Sequence, residues 1–387
     1  MRMRTVACCV VAAFALLVSA CGDSGSDGGD SKGSGSAKKG SQFLTDAKAK
    51  VDTWLSPKGT FDEPPTTAPK IAPGKEVALI SCGQSVTFCA SGMKGAADAA
   101  KALGWKTTLF DTKGDFASAA TGIRTALARK VDGIFLYYID CRYMRAPLKE
   151  AKKAGVPVVA AEAYDCNEKS GDAGKPQDLF TWQVEYVEGD YDKWLYDWQQ
   201  AQFYWPYVKL NGDMKLLFFT DDTGLGAGLE AISADDFSKE CDGCVETVRF
   251  PYLDLYKGLQ DLAGRELTKR PDVNAVGVGY ESIALSGIAS AVQASGRDIL
   301  LDVGEGLTGG LDMIRSGKAE YGVGISIEWE GWSGIDSLGR LFEGEQPANS
   351  GIGIQLLDAD HNVPASGEFK PPVDFASAYK KAWGVGG

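Results

Sequence analysis

Histidine is almost missing from this chain: among 387 residues, His361 is the only one. Zinc sites built on imidazole and Cys–His nucleophilic pairs therefore have too few ligands to be the basis of its function. Basic runs are missing too. Lys and Arg number 40 against 52 Asp and Glu, a formal charge of −12, and no Lys/Arg cluster offers the face that a nucleic-acid partner requires. No helix-turn-helix pattern precedes the folded body, and there is no ATP-binding motif. The apolar run from Thr5 to Val18 is too short for a secure membrane span. What remains, 44% hydrophobic and 24% charged residues, is ordinary for a soluble globular protein and long enough for two domains with proper cores.

The N-terminus "MRMRTVACCVVAAFALLVSAC" sets Arg2 and Arg4 before that apolar run and small residues after it. Residues 1–20 read as a signal peptide. Leu17-Val18-Ser19-Ala20-Cys21 resembles the bacterial lipobox, which implies that Cys21 is diacylated and tethers the mature chain to the cell membrane. An ordinary secretory signal cut nearby is the alternative. Of nine cysteines, Cys8 and Cys9 leave with the signal and Cys21 carries lipid, so Cys82, Cys89, Cys141, Cys166, Cys241 and Cys244 remain. An even number in an exported chain reads as disulfides. Cys241-Asp-Gly-Cys244 has the spacing of a redox or zinc motif, but no second pair or histidine cluster accompanies it, and a local Cys241–Cys244 disulfide is expected.

Residues 21–74 read as the lipidated cysteine, a flexible Gly/Ser tether and a Pro-rich lead-in, with a short amphipathic helix over Phe43–Leu55. From Lys75 onward, apolar strands such as "EVALIS", "DGIFLYYID" and "MKLLFFTD" alternate with amphipathic helical patterns. Continuous apolar strands between helices mean parallel sheets covered on both faces. About eleven strands exceed what one such sheet usually holds, so the fold class expected is α/β, two doubly wound parallel-sheet lobes. Ligands then bind at the carboxyl ends of the strands.

Five segments, in order, resemble the type I periplasmic substrate-binding proteins of ABC importers, in particular the ribose/galactose-binding group. They are "VALISCGQSVTFCASGMKGAADAAKALGW", "ALARKVDGIFLYYID", "AKKAGVPVVAAEA", "RPDVNAVGVGYESIALSGIASAVQASG" and "ILLDVGEG", and the likeness spans roughly residues 75–345. The resemblance implies a three-segment hinge, which we place near Val184–Glu188, Gly304–Gly306 and Gly324–Ser326. Lobe 1 is then 75–184 plus 306–324, lobe 2 is 188–304 plus 326–360, and 361–387 forms a tail. It further implies a monomeric extracytoplasmic binding protein that closes on a sugar or other small polar ligand and delivers it to an ABC permease, without enzymatic activity, cofactor, metal or nucleic-acid partner. A ligand-sensing receptor for a membrane signalling partner is the rival reading.

Strand ends in such a fold would bring Gln84, Ser85, Phe88, Tyr138, Asp140, Glu162, Tyr164, Asp221, Asp222, Tyr280, Glu281, Glu305, Glu328 and Trp329 to the cleft. Carboxylates accept from hydroxyls and aromatic faces stack on a pyranose, the chemistry of a polyol site. Several positions depart from the family pattern. Cys89 replaces a second loop aromatic, Ala163 an arginine, Tyr280-Glu281 the common Asn-Asp, and Glu305 an Asp. A cleft with several carboxylates and no evident cation also suits an amine or other cationic ligand, although Arg142 is a candidate to balance it. Read as a glycosidase pair, Glu281 and Glu305 would need a separation that sequence does not reveal. Trp182, Trp194, Trp198 and Trp205 are expected to pack a lobe. Gly304–Gly309 satisfies GxGxxG but falls late in the chain, so it is expected to let a helix start near the cleft and not to bind a dinucleotide. With strand order 2-1-3-4, Cys82, Cys141 and Cys166 end on neighbouring strands. Cys82–Cys89 and Cys141–Cys166 are the favoured pairs, and pairing of Cys82 or Cys89 with Cys141 or Cys166 is the alternative.

Overall fold

The computed structural model describes residues 33–167, 178–222, 227–251, 254–255 and 257–386, with backbone only for 33–39 and 227–231. The expected signal peptide and acylated Cys21 lie outside these residues, as does the Gly/Ser stretch before Gly33. Two units arise, 1–39 and 40–387. Of the first, only the start of helix α1 (Gly33–Leu55) is described.

The first half of the second unit alternates strand and helix as the apolar periodicity demands. Strands β1 (Glu76–Ser81), β2 (Lys106–Asp111), β3 (Gly133–Tyr137), β4 (Val158–Ala161) and β5 (Trp182–Gln183) form one parallel sheet in the order β2-β1-β3-β4-β5. Helices α2 (Thr87–Ala102), α3 (Ala119–Ala128) and α4 (Arg145–Ala154) cover it. Every residue of β3 and β4 is buried, because parallel strands between helices have no wet face. Gly155 stops α4 in the left-handed conformation that a helix C-terminus favours.

The second lobe repeats the design. Helix α5 (Tyr191–Lys209) leads into β6 (Leu216–Asp221), α6 (Ala227–Glu240), β7 (Val245–Phe250), α7 (Leu259–Lys269) and β8 (Ala275–Val278). Helix α8 (Glu281–Ile283) runs through a π-turn (Ala284–Ile288) into α9 (Ala289–Ser295), followed by β9 (Leu300–Leu301). The sheet order is β7-β6-β8-β9, parallel throughout.

The last third departs from expectation. Helix α10 (Thr308–Arg315) packs on β10 (Tyr321–Gly324) and the π-turn, within the second lobe. Gly304–Gly306 is no crossing: its backbone runs along β10, with Val323 N donating to Gly304 O at 2.8 Å and Ile325 N to Glu305 O at 3.2 Å. A parallel bridge from Asp302 to Tyr321 joins β10 to the sheet, and β11 (Gln355–Asp358) adds antiparallel to β10. Helix α11 (Ile327–Phe342) lies instead on α2, β3 and β4 of the first lobe. Segment 306–324 therefore belongs with lobe 2, and most of 326–354 with lobe 1. Glycine decides this: a Cβ on Gly331 would meet Gly92 O at 2.4 Å and Ala96 N at 2.3 Å, so α11 fits the α2 face only because neither backbone is held off by a side chain. The observed crossings run near Val184–Glu188, at Ile325–Ser326, and between α11 and β11.

The N-terminal lead-in is a fourth connection. Phe43 and Trp54 of α1 pack on Tyr204 of the second lobe. The chain then pairs with the third crossing, Thr60 N donating to Ile354 O and Asp62 N to Gly351 O, both at 2.9 Å. It ends on the first lobe, where Ala72 O accepts from Trp105 Nε1 at 2.9 Å. Helix α12 (Phe375–Trp383) closes the chain on α11, Trp383 Nε1 donating to Asp336 Oδ1 at 2.7 Å. Among the described residues no helix is long and apolar enough to cross a membrane.

Candidate ligand-binding cleft

Two strand ends in the first lobe carry unusual backbone. Tyr138 follows β3 with φ +57° and Glu162 follows β4 with φ +47°, left-handed values that bulky residues avoid. Such conformations cost about 1–3 kcal/mol and persist where surrounding structure enforces them, as they do at functional sites. Here Tyr138 N donates to Ala161 O at 3.1 Å and Gln183 Nε2 to Ala163 O at 3.0 Å, holding both turns.

Around Glu162 the structure gathers carboxyls and tyrosines. Glu330, one turn into α11, is wholly buried and accepts from Tyr137 Oη at 2.5 Å. Tyr186, from the first crossing, and Glu162 lie beside Glu330 and interact with it electrostatically. Tyr191, at the start of α5, sets its ring 5.3 Å from Tyr164 and 5.9 Å from Tyr186. From the second lobe comes Glu305, 7% exposed. Burial lifts all three carboxyls, because each charged form leaves water. Glu330 is pushed to about 7 by burial, with the neighbouring Glu162, Tyr137 and Tyr186 side chains opposing the rise. Glu305 reaches about 7, opposed by the Glu281 amide. Glu162 rises well above the usual range, through burial first and then repulsion from Glu330 and Glu305.

The other expected residues have varied places. Phe88 is half-buried and meets Tyr137 and Tyr138, ring centroids 5.2 and 5.1 Å away. Gln84 turns back to donate to Ser81 Oγ at 2.7 Å, and Ser85 is exposed. Asp140 is a structural clasp that accepts from Tyr164 N at 2.8 Å and lies 3.4 Å from Arg142 Nε, so Arg142 balances Asp140 and not the glutamates. In the second lobe Tyr280 Oη donates to Asp221 at 2.6 Å, and Asp222 is exposed. Glu281 accepts from Leu307 N at 2.7 Å and Gly310 N at 2.8 Å. It thereby occupies the amides at the GxGxxG turn that a phosphate would use. Glu328 pairs with Lys94 at 2.9 Å and borders a separate cavity of ≈ 400 Å³ beside Ser91, Leu307 and Phe369. Trp329 does not face the cleft: it is wholly buried between Phe61 and Phe375, centroids 5.8 and 5.2 Å away.

Sequence reasoning missed Tyr137, Tyr186, Tyr191 and Glu330. Reading 321–327 as one strand put residues 328 and 329 at its end, whereas β10 stops at Gly324 and α11 starts at Ile327. Helical spacing then turns Glu330 inward. Trp194, Trp198 and Trp205 are buried, Trp194 stacking on Tyr186 at 4.4 Å and Trp205 on Tyr321 at 4.3 Å, whereas Trp182 is half-buried. Cys82–Cys89, Cys141–Cys166 and Cys241–Cys244 are all bridged. The first of these staples the loop that carries Gln84, Ser85 and Phe88.

Residues 77–180 match the family described as periplasmic binding protein domain. About three quarters of the chain shares its architecture with solved binding proteins of low sequence identity. An ABC transporter solute binding protein from Agrobacterium vitis with bound allitol aligns with TM-score 0.61 and 16% identity, over 74% of this chain and 96% of that one. The chain has the type I periplasmic binding protein fold. The same binding-protein fold aligns with a solute binding protein from Bacillus halodurans holding myo-inositol, TM-score 0.61 and 16% identity over 75% and 96% of the two chains. A periplasmic ribose ABC transporter protein from Conexibacter woesei aligns with TM-score 0.58 and 18% identity over 75% and 94%. No curated protein sequence matches the chain.

Proposed function

We propose that this is the extracytoplasmic solute-binding component of an ABC transporter, which closes on a sugar or other small polyol and hands it to the permease without chemical turnover. The observation that carries this reading is the left-handed pair Tyr138 and Glu162 at adjacent strand ends, facing Glu305 and Tyr191 from the other lobe. Strain held at two adjacent strand ends is the pattern that clusters at ligand sites. Neighbours of the same fold that hold allitol and myo-inositol support a polyol. Phe88, Tyr138 and Tyr164 would offer ring faces to sugar C–H groups, and Glu162 and Glu305 would accept from hydroxyls. Cys21 would carry the lipid that keeps a monomeric chain at the membrane beside its permease.

A thermal-shift screen of sugars, polyols and their amine derivatives tests the reading. The true ligand is expected to raise Tm with concentration, by the equivalent of about 2.7 kcal/mol at a hundredfold excess over Kd. Tyr138→Ala and Glu305→Ala should each abolish the rise at that concentration. A rise that survives both substitutions, or no rise with any compound, rejects the cleft.

A further inference from the structure

The interlobe cluster holds more acid than a neutral ligand can use. Glu162, Glu305 and Glu330 come together from β4, the β9–α10 turn and α11, and none is more than 7% exposed. Among the described residues no lysine or arginine is bonded to any of the three. Their neighbours are Tyr137, Tyr186 and Tyr191 around Glu162 and Glu330, and Glu281 and Asp302 behind Glu305. Every one of these is a phenol or another acid. Glu162 Oε1 and Glu330 Oε1 are buried and accept no hydrogen bond.

Buried carboxylates of this kind are stabilised by a proton or by a cation. A sugar hydroxyl can donate one hydrogen bond to Glu162 but supplies no charge against the repulsion among the three. An ammonium supplies up to three donors and the opposite charge together. Aromatic rings favour the same group: Tyr191 is tilted against both Tyr164 and Tyr186 beside the carboxyls, centroids 5.3 and 5.9 Å away, and ring faces attract cations.

We propose that the ligand is a polyol bearing a protonated amine, an amino sugar or an aminocyclitol, whose ammonium sits between Glu162 and Glu305 with Glu330 behind. This rests on the cleft reading above and narrows it. Binding exchanges a proton held by the glutamates for the ammonium: a carboxyl O–H bond breaks, its proton passes to the buffer base, and the ligand itself is chemically unchanged.

Matched pairs test it on the full mature chain: glucosamine against glucose, and an aminocyclitol against its parent cyclitol, by titration calorimetry. In at least one pair the amine is expected to bind at least about tenfold more tightly. Its affinity should rise between pH 6 and 7.5, by up to about tenfold per pH unit for one proton displaced. The measured heat should vary with the ionisation enthalpy of the buffer, which requires no variant. Glu162→Gln should erase the preference for the amine, so that amine and parent polyol bind with equal affinity. If the neutral member binds equally or more tightly in every pair, with no proton release, the amine assignment is wrong and the polyol reading stands. If no member of either pair binds, both fail.

Discussion

At the level of single residues, Glu330 connects fold and site. Its carboxyl sits where α11, returning from the second lobe, meets the end of β3, and Tyr137 and Tyr186 close over it. Burial raises its pKa to about 7 from 4.5. A carboxyl raised in the folded state binds protons that the unfolded chain has lost, so its contribution to stability is complete below about pH 4.5 and disappears as pH rises through about 7. Glu330→Gln, which keeps the shape and removes the titration, should flatten the fall in Tm of the ligand-free protein between pH 5 and 8. Parallel slopes for variant and parent, by differential scanning fluorimetry, would show that the group titrates normally. Glu281 and Asp302 are raised to about 8 by the same cause, burial, and leave a residual slope.

Among the elements, the N-terminal lead-in is the one whose role the composition concealed. A Pro-rich, extended segment reads as a spacer. Here it is an ordered strap, and its anchor is Phe61. That ring is 1% exposed and lies between Trp329 of α11 and Phe369 of the tail, centroids 5.8 and 5.9 Å away. Phe61→Ala leaves a cavity no backbone can fill, because Gly351 and Gly353 already touch the strap. A loss of about 3–5 kcal/mol is expected from urea unfolding. A loss below about 1 kcal/mol would mean that the strap packs only loosely.

For the whole molecule, the consequence is a restrained hinge. The lobes are joined by three crossings, by the strap from Tyr204 to Trp105, and by the tail, where Phe369 N donates to Gly306 O at 2.8 Å before α12 reaches α11. Opening about the crossings must stretch or peel the strap and tail as well, so the ligand-free protein should open less than three crossings alone would permit. A protease site inserted between Thr66 and Thr67, both exposed, tests this. After cleavage, the radius of gyration of the ligand-free protein in small-angle scattering should increase. An unchanged radius would mean that the strap restrains nothing.

Much of this was legible along the chain, for reasons of period and compartment. Buried parallel strands must be apolar throughout, so "GIFLY" and "VVAA" declare a doubly wound sheet without reference to anything distant. Six cysteines have few partners, and the three favoured bridges are the ones formed. The carboxyl ends of β3 and β4 follow from the strands, and with them Tyr138 and Glu162. What sequence left open was the assignment of elements to lobes and the acids that meet Glu162. Helix α11 could cover either sheet by its own periodicity. Only the match of its glycines to Gly92 and Gly95 of α2, some 240 residues earlier in sequence, selects the first lobe and turns Glu330 toward Glu162. Local pattern dictates what each segment becomes, because hydrogen bonding and burial act within a few residues. Which buried charges face one another is a property of surfaces in contact, and those exist only after the chain has folded.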